Sequence, residues 1–152
     1  MKRLTLAVAL LALLAASAAT AATPVKYRTT LNAICRAYTP KLKAAEDTMT
    51  NATKSQRANV FASGLRTYLA LQIKQNHQIE RVRVPKRLTR QMKPALKTLR
   101  KLDPHLRSAL ANSRAGDIKA TRSQMGTIIK ISGPLNGQLD AAGLIDCGSN
   151  QP

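Results

Sequence analysis

From Leu31 to Ala142 the apolar residues recur at alternating steps of three and four, and no stretch shows the period of two that a half-buried strand requires. Four runs carry the pattern. The first is Leu31, Ile34, Tyr38, Leu42, Ala45, Met49 and Ala52. The second is Ala58, Phe61, Leu65, Tyr68, Ile73, Ile79 and Val82, interrupted by polar Gln72. The third is Leu88, Met92, Ala95, Leu99, Leu102, Leu106 and Ala109. The fourth is Ile118, Thr121, Met125, Ile128, Ser132, Leu135, Leu139 and Ala142. Each run predicts a helix of about 25 residues, roughly 35–40 Å long at 1.5 Å per residue. Short loops between helices of matched length make neighbours antiparallel, so the expected fold is all-α, an up-down four-helix bundle.

The boundaries have their own chemistry. Thr53-Lys54-Ser55-Gln56 fits a capping box opening the second helix. Val84-Pro85 ends that helix, because a residue before proline avoids the helical region. Asp117 can cap the fourth helix, and Gly143 can end it in a left-handed conformation with Leu144 folding back as the hydrophobic contact. Pro40, Pro94, Pro104 and Pro134 fall inside the runs. Each removes a backbone donor and crowds the preceding turn, so kinks or breaks are expected, most strongly at Gly133-Pro134.

The N-terminus has the order of a secretory signal. Lys2 and Arg3 precede an apolar stretch, which gives way to small residues from Ala15 to Ala22 with A-x-A sites such as Ala19-Thr20-Ala21. The expected domains are a cleaved signal, 1–22, and a single helical domain, 23–152. Its expected location is secreted or periplasmic in a bacterium. Two cysteines, Cys35 and Cys147, then read as one disulfide, the alternative being two separate buried thiols. Bundle geometry favours the bridge: the first helix begins where the fourth ends, which brings the two cysteines to one end.

Several short stretches form a recognisable arrangement. They are Leu31-Asn32-Ala33-Ile34-Cys35-Arg36, the Val-Pro break, Ala115-Gly116-Asp117, and Ala142-Gly143-Leu144-Ile145-Asp146-Cys147-Gly148. This resembles a group of small secreted helical proteins of actinobacteria. The resemblance implies a fold and a compartment, and brings no activity, cofactor or site residue with it.

Charge is the most informative surface property. Cleavage after Ala22 removes Lys2 and Arg3 from the 25 basic residues and leaves all 7 acids, for a domain charge of +16. Such a surface attracts anions. Ten cations lie between Arg81 and Arg107, against the single acid Asp103. Among them Lys86, Arg90, Lys93, Lys97 and Arg100 follow helical spacing. Lys86 and Leu88 differ by about 200° around the axis, so the stripe lies opposite the apolar face. Like charges three and four apart repel, and an exposed helix built only for stability would mix signs. Two readings fit: a face that binds polyanions, and a basic face that is merely solvated.

Other constellations are thinner. Nucleic acid would find phosphate contacts but few stacking partners, since the chain has one Phe, three Tyr and no Trp. Phe61 and Tyr68 fall on the apolar face and read as core. His77 and His105 lie in different helices, and pairing about Pro85 would set His77 opposite residue 93, so no metal pair is expected. Met49, Met92 and Met125 read as core filling. No G-x-S-x-G, H-E-x-x-H or phosphate-loop pattern occurs. Glu80 reads as an ion-pair partner of Arg83 or of a third-helix cation, with a general acid–base group in an arginine-lined pocket as the alternative. The expectation is a non-enzymatic envelope protein without cofactor, bound to anionic polymer or membrane surface through the basic face. The alternative is a protein-partner module.

Overall fold

A computed structural model describes residues 23–148; the expected signal segment 1–22 lies outside the described residues. The architecture is a helical bundle, and all regular structure among the described residues is helical. Helix α1 spans Pro24–Lys54. Thr23 caps it, its hydroxyl accepting from the Lys26 amide at 3.2 Å, and Pro24 occupies the first turn, where its missing donor is not needed. Helix α2 spans Ala58–Arg81. The expected capping box does not form. Thr53 is still inside α1, its hydroxyl donating to the Met49 carbonyl, and the turn closes through Gln56 at φ 53°. Four hydroxyl residues near this boundary, three of them threonines, made the start of α2 look earlier than it is.

Helix α2 ends at Arg81, and residues 82–85 run on before a 3-10 turn at Lys86–Leu88. Helix α3 spans Thr89–Ala115 and stops at Gly116, which takes the left-handed conformation at φ 75°. Asp117 caps α4, Ile118–Ser132, its carboxylate accepting from the Ala120 amide at 2.8 Å. The fourth run breaks at Gly133-Pro134, and a short helix α5, Leu135–Ala141, continues it. Gly143 follows at φ 77° with Leu144 fully buried against the core.

The other three prolines break nothing. Helices α1 and α3 run through Pro40, Pro94 and Pro104. All three are on exposed faces, where water replaces the lost hydrogen bond of the freed carbonyl.

Consecutive helices pack against one another, α5 packs on α3, and a final 3-10 turn, Ile145–Cys147, packs on α1 and closes the bundle. Two apolar clusters fill it. One gathers Tyr27, Leu31, Cys35, Ile79, Leu88, Met92, Leu99, Leu139, Leu144 and Cys147. The other gathers Leu65, Leu69, Leu102, Leu106, Ala109 and Ile128, and Leu135 packs against both. Buried polar residues break the apolar stripes: Gln75 and Asn76 on α2, and Thr98 on α3, whose hydroxyl donates to Gln138 of α5 at 2.9 Å.

Cys35 and Cys147 are bonded, with a Cα separation of 5.2 Å. The bond is one of several ties at this end. Arg28 Nε donates to the Ala142 carbonyl at 2.8 Å, and Arg36 pairs with Asp146 at 2.5 Å. A disulfide of this kind forms and persists in an oxidising, extracytoplasmic compartment. Among the described residues, no helix is long and apolar enough to cross a membrane.

Candidate cationic groove on helix α3

Helix α3 buries Met92, Ala95, Thr98, Leu99, Leu102 and Leu106. At about 100° per residue these occupy one side, and Arg90, Lys93, Lys97, Arg100 and Lys101 fall together on the other. All five cations are exposed. Lys86 is exposed too, but it sits in the 3-10 turn before α3 and does not continue the helical stripe. The reason is the segment 82–88, which spends seven residues on the reversal between α2 and α3 rather than turning tightly at Pro85.

That longer reversal also resets the register. His77 faces Asp103 at 3.0 Å and Glu80 faces Arg100 at 3.8 Å, which centres the hairpin on Arg90. The expected opposition of His77 to residue 93 is therefore ten residues out. Pairing about Pro85 assumed that the helices ran right up to the proline.

The residues beside the reversal form an open groove of about 450 Å³, lined by Val84, Thr89, Lys93, Leu96, Lys97, Arg100 and Lys101. Val84 and Leu96 are half-buried and rest on the apolar cluster that holds the disulfide. They make an apolar floor under four cations. Of the five stripe residues picked from spacing, Lys93, Lys97 and Arg100 line the groove; Lys86 and Arg90 do not. Lys101 was missed from the stripe, although its position four residues after Lys97 is the signal that would have found it.

Glu80 is the nearest carboxylate. Its pairing with Arg100 is the ion pair with a third-helix cation that spacing suggested, and Glu80 lines neither this groove nor the one on α4. Glu80 Oε1 is buried without a hydrogen bond, so Arg100 is its main source of compensation. Lys93, Lys97 and Lys101 have no carboxylate within ion-pair distance among the described residues.

Further along, Asp103 joins α2 to α3. Arg107 Nε donates to Asp103 at 2.7 Å, and His77 Nε2 lies 3.0 Å from Asp103 and 2.7 Å from Arg107 Nη2. Nε2 serves one partner at a time: protonated it donates to Asp103, unprotonated it accepts from Arg107. His105 is separately engaged, its Nδ1 lying 2.9 Å from Gln124 Oε1. Among the described residues no three metal-ligating side chains gather.

Three apolar residues leave the core that spacing assigned them: Ala58 at the exposed start of α2, Phe61 and Ile118. Phe61 is 39% exposed. With the hairpin centred on Arg90, its counterpart would be residue 119, beyond the end of α3 at Ala115. Ile118, the first residue of α4, is 72% exposed, and none of the described residues covers it. Ile129 is exposed on the same side of α4, next to a second open groove that includes Lys119, Arg122 and Lys130.

No protein-family model matches the chain, and no curated protein or solved structure is significantly similar to it.

Proposed function

We propose that this domain is a non-enzymatic protein of the bacterial cell envelope, exported by its N-terminal signal and held electrostatically to phosphate-bearing polyanions through α3. The observation that carries the reading is the row of exposed, largely unpaired cations from Arg90 to Lys101, the last four of which line the groove. A face that served only solubility would intersperse acids, as stability favours. Nucleic acid fits less well. The groove offers no aromatic platform for base stacking, and an exported protein meets little nucleic acid.

Washing isolated envelopes with rising salt tests attachment. The chain should leave over a few hundred millimolar, where exposed charges are screened within roughly 5 Å. Chain found free in the medium, or bound but indifferent to salt, would refute it. The triple variant Lys93→Glu, Lys97→Glu, Arg100→Glu should not bind envelopes at all.

Exposed Ile118 and Ile129, about 20° apart around α4, support a second reading. In it a protein partner docks on α4. Loss of envelope binding in Ile118→Ser, Ile129→Ser, with the α3 reversal silent, would select it.

A further inference from the structure

We infer that the α3 groove takes an amphiphilic phosphate, the headgroup and first acyl carbons of an anionic membrane lipid, in preference to a fully hydrophilic polyanion. This rests on the polyanion-binding reading and sharpens it. Four of the seven lining residues are cations, yet the groove surface is mostly apolar. Lysine and arginine side chains offer apolar stems to such a surface while their charged heads keep to water, and half-buried Val84 and Leu96, packed on the core cluster, supply the apolar floor. A polymer of phosphates and polyols would gain from the rim and leave the floor wetted by nothing that improves on water. A lipid satisfies both, with phosphate at the rim and the glycerol–acyl junction on the floor. The groove is open to solvent, which suits a ligand that stays in its bilayer rather than one extracted and enclosed. No acid lines it to repel the phosphate. The floor is also fixed, because Val84 and Leu96 rest on the buried cluster around Tyr27, Met92 and the disulfide.

The test compares two probes: vesicles of phosphatidylglycerol in phosphatidylcholine, and soluble inorganic polyphosphate. Val84→Ser with Leu96→Thr keeps every charge and makes the floor polar. It should weaken vesicle binding about tenfold, the effect of losing one to two buried methylenes' worth of contact, and leave polyphosphate binding unchanged. Equal affinity for vesicles in this variant would overturn the lipid inference while leaving polyanion binding in place. Failure of the triple glutamate variant to weaken either probe would overturn the underlying reading instead. Should the floor variant lose its helical circular dichroism, the wild-type chain decides the matter by salt titration. Vesicle binding that persists at salt sufficient to release polyphosphate supports the apolar floor; parallel release of both probes refutes it.

Discussion

Breaking the Cys35–Cys147 bond should lower stability by about as much as any single change to this domain could. The bond spans a sequence separation of 112 residues. Chain-entropy treatment of a loop that long gives about 4.8 kcal/mol at room temperature, nearly all of it from releasing the unfolded chain. The native state should change little, because its C-terminal segment has other ties: Leu144 buried in the core, Arg28 on the Ala142 carbonyl, and Arg36 on Asp146. Reduced protein, or the Cys35→Ala, Cys147→Ala pair, should therefore keep its far-ultraviolet circular dichroism in buffer. Its urea midpoint should fall by roughly 2 M, taking an m-value of about 2 kcal/mol/M, and m itself should rise because the uncrosslinked chain unfolds to a more exposed state. A loss below about 1 kcal/mol would refute the entropic account. Loss of helix in buffer would refute the claim that the remaining ties hold the native end together.

Three further changes have signs fixed by their surroundings. Tyr27 is buried with no partner for its hydroxyl among the described residues, and burial pushes its phenol up to about 12 from its ordinary 10. Its raised native value means that the stability it contributes is complete below pH 10 and lost as pH rises towards 12; Tyr27→Phe should abolish that alkaline loss in urea melts and add about 1 kcal/mol at neutral pH. Gly64→Ala should destabilise, since its Cβ would lie 2.9 Å from Met49 Cγ and 3.2 Å from the Ala45 carbonyl, whereas Gly126→Ala meets nothing within 4 Å and should gain about 1 kcal/mol in a thermal melt. Lys97→Glu turns like-charge pairs with Lys93, Arg100 and Lys101 into opposite ones, so it should raise stability by about 1 kcal/mol at low salt while weakening vesicle binding; a destabilised variant would mean that the Lys97 stem matters more to packing than its charge does to repulsion.

Periodicity made the helices and most of the core legible, because packing of an amphipathic face decides both. Caps whose residue type suits one backbone position, Asp117 as an acceptor and Gly143 at positive φ, were legible as well. Reversals were not. Thr53 and Ser55 could each cap a helix, and only the trajectory of α1 shows that both bond backward to α1 carbonyls. Val84-Pro85 marks where α2 cannot continue but not how many residues the chain spends before α3 begins. That one uncertainty moved the α2–α3 register, and with it the partners of His77, the exposure of Phe61 and the place of Lys86. The stripe itself was visible from spacing. The groove was not, since its floor residue Val84 lies in the reversal and Leu96 comes from between two charged positions of α3.

The placement of the groove bears on whether its charge is incidental. Arg90, Lys93, Lys97, Arg100 and Lys101 form four like-charge pairs at three and four spacing, a burden of about 1–2 kcal/mol on α3 at low salt. A domain selected for stability alone would shed three of the four pairs by a single acid at position 97. Directly beneath lies the apolar cluster containing the disulfide, Tyr27 and Met92, among the most completely buried side chains of the fold. Val84 and Leu96 rest on that cluster, so the apolar floor of the groove is held by the core itself. A rigid apolar floor reduces the ordering cost of binding, which is where a core-held floor and a self-repelling stripe serve the same purpose. The outer face of α4 carries three cations, Lys119, Arg122 and Lys130, and has no such support: Ile118 and Ile129 stand exposed beside them. What lies beneath the α3 groove is the physical reason we propose α3, rather than α4, as the binding face.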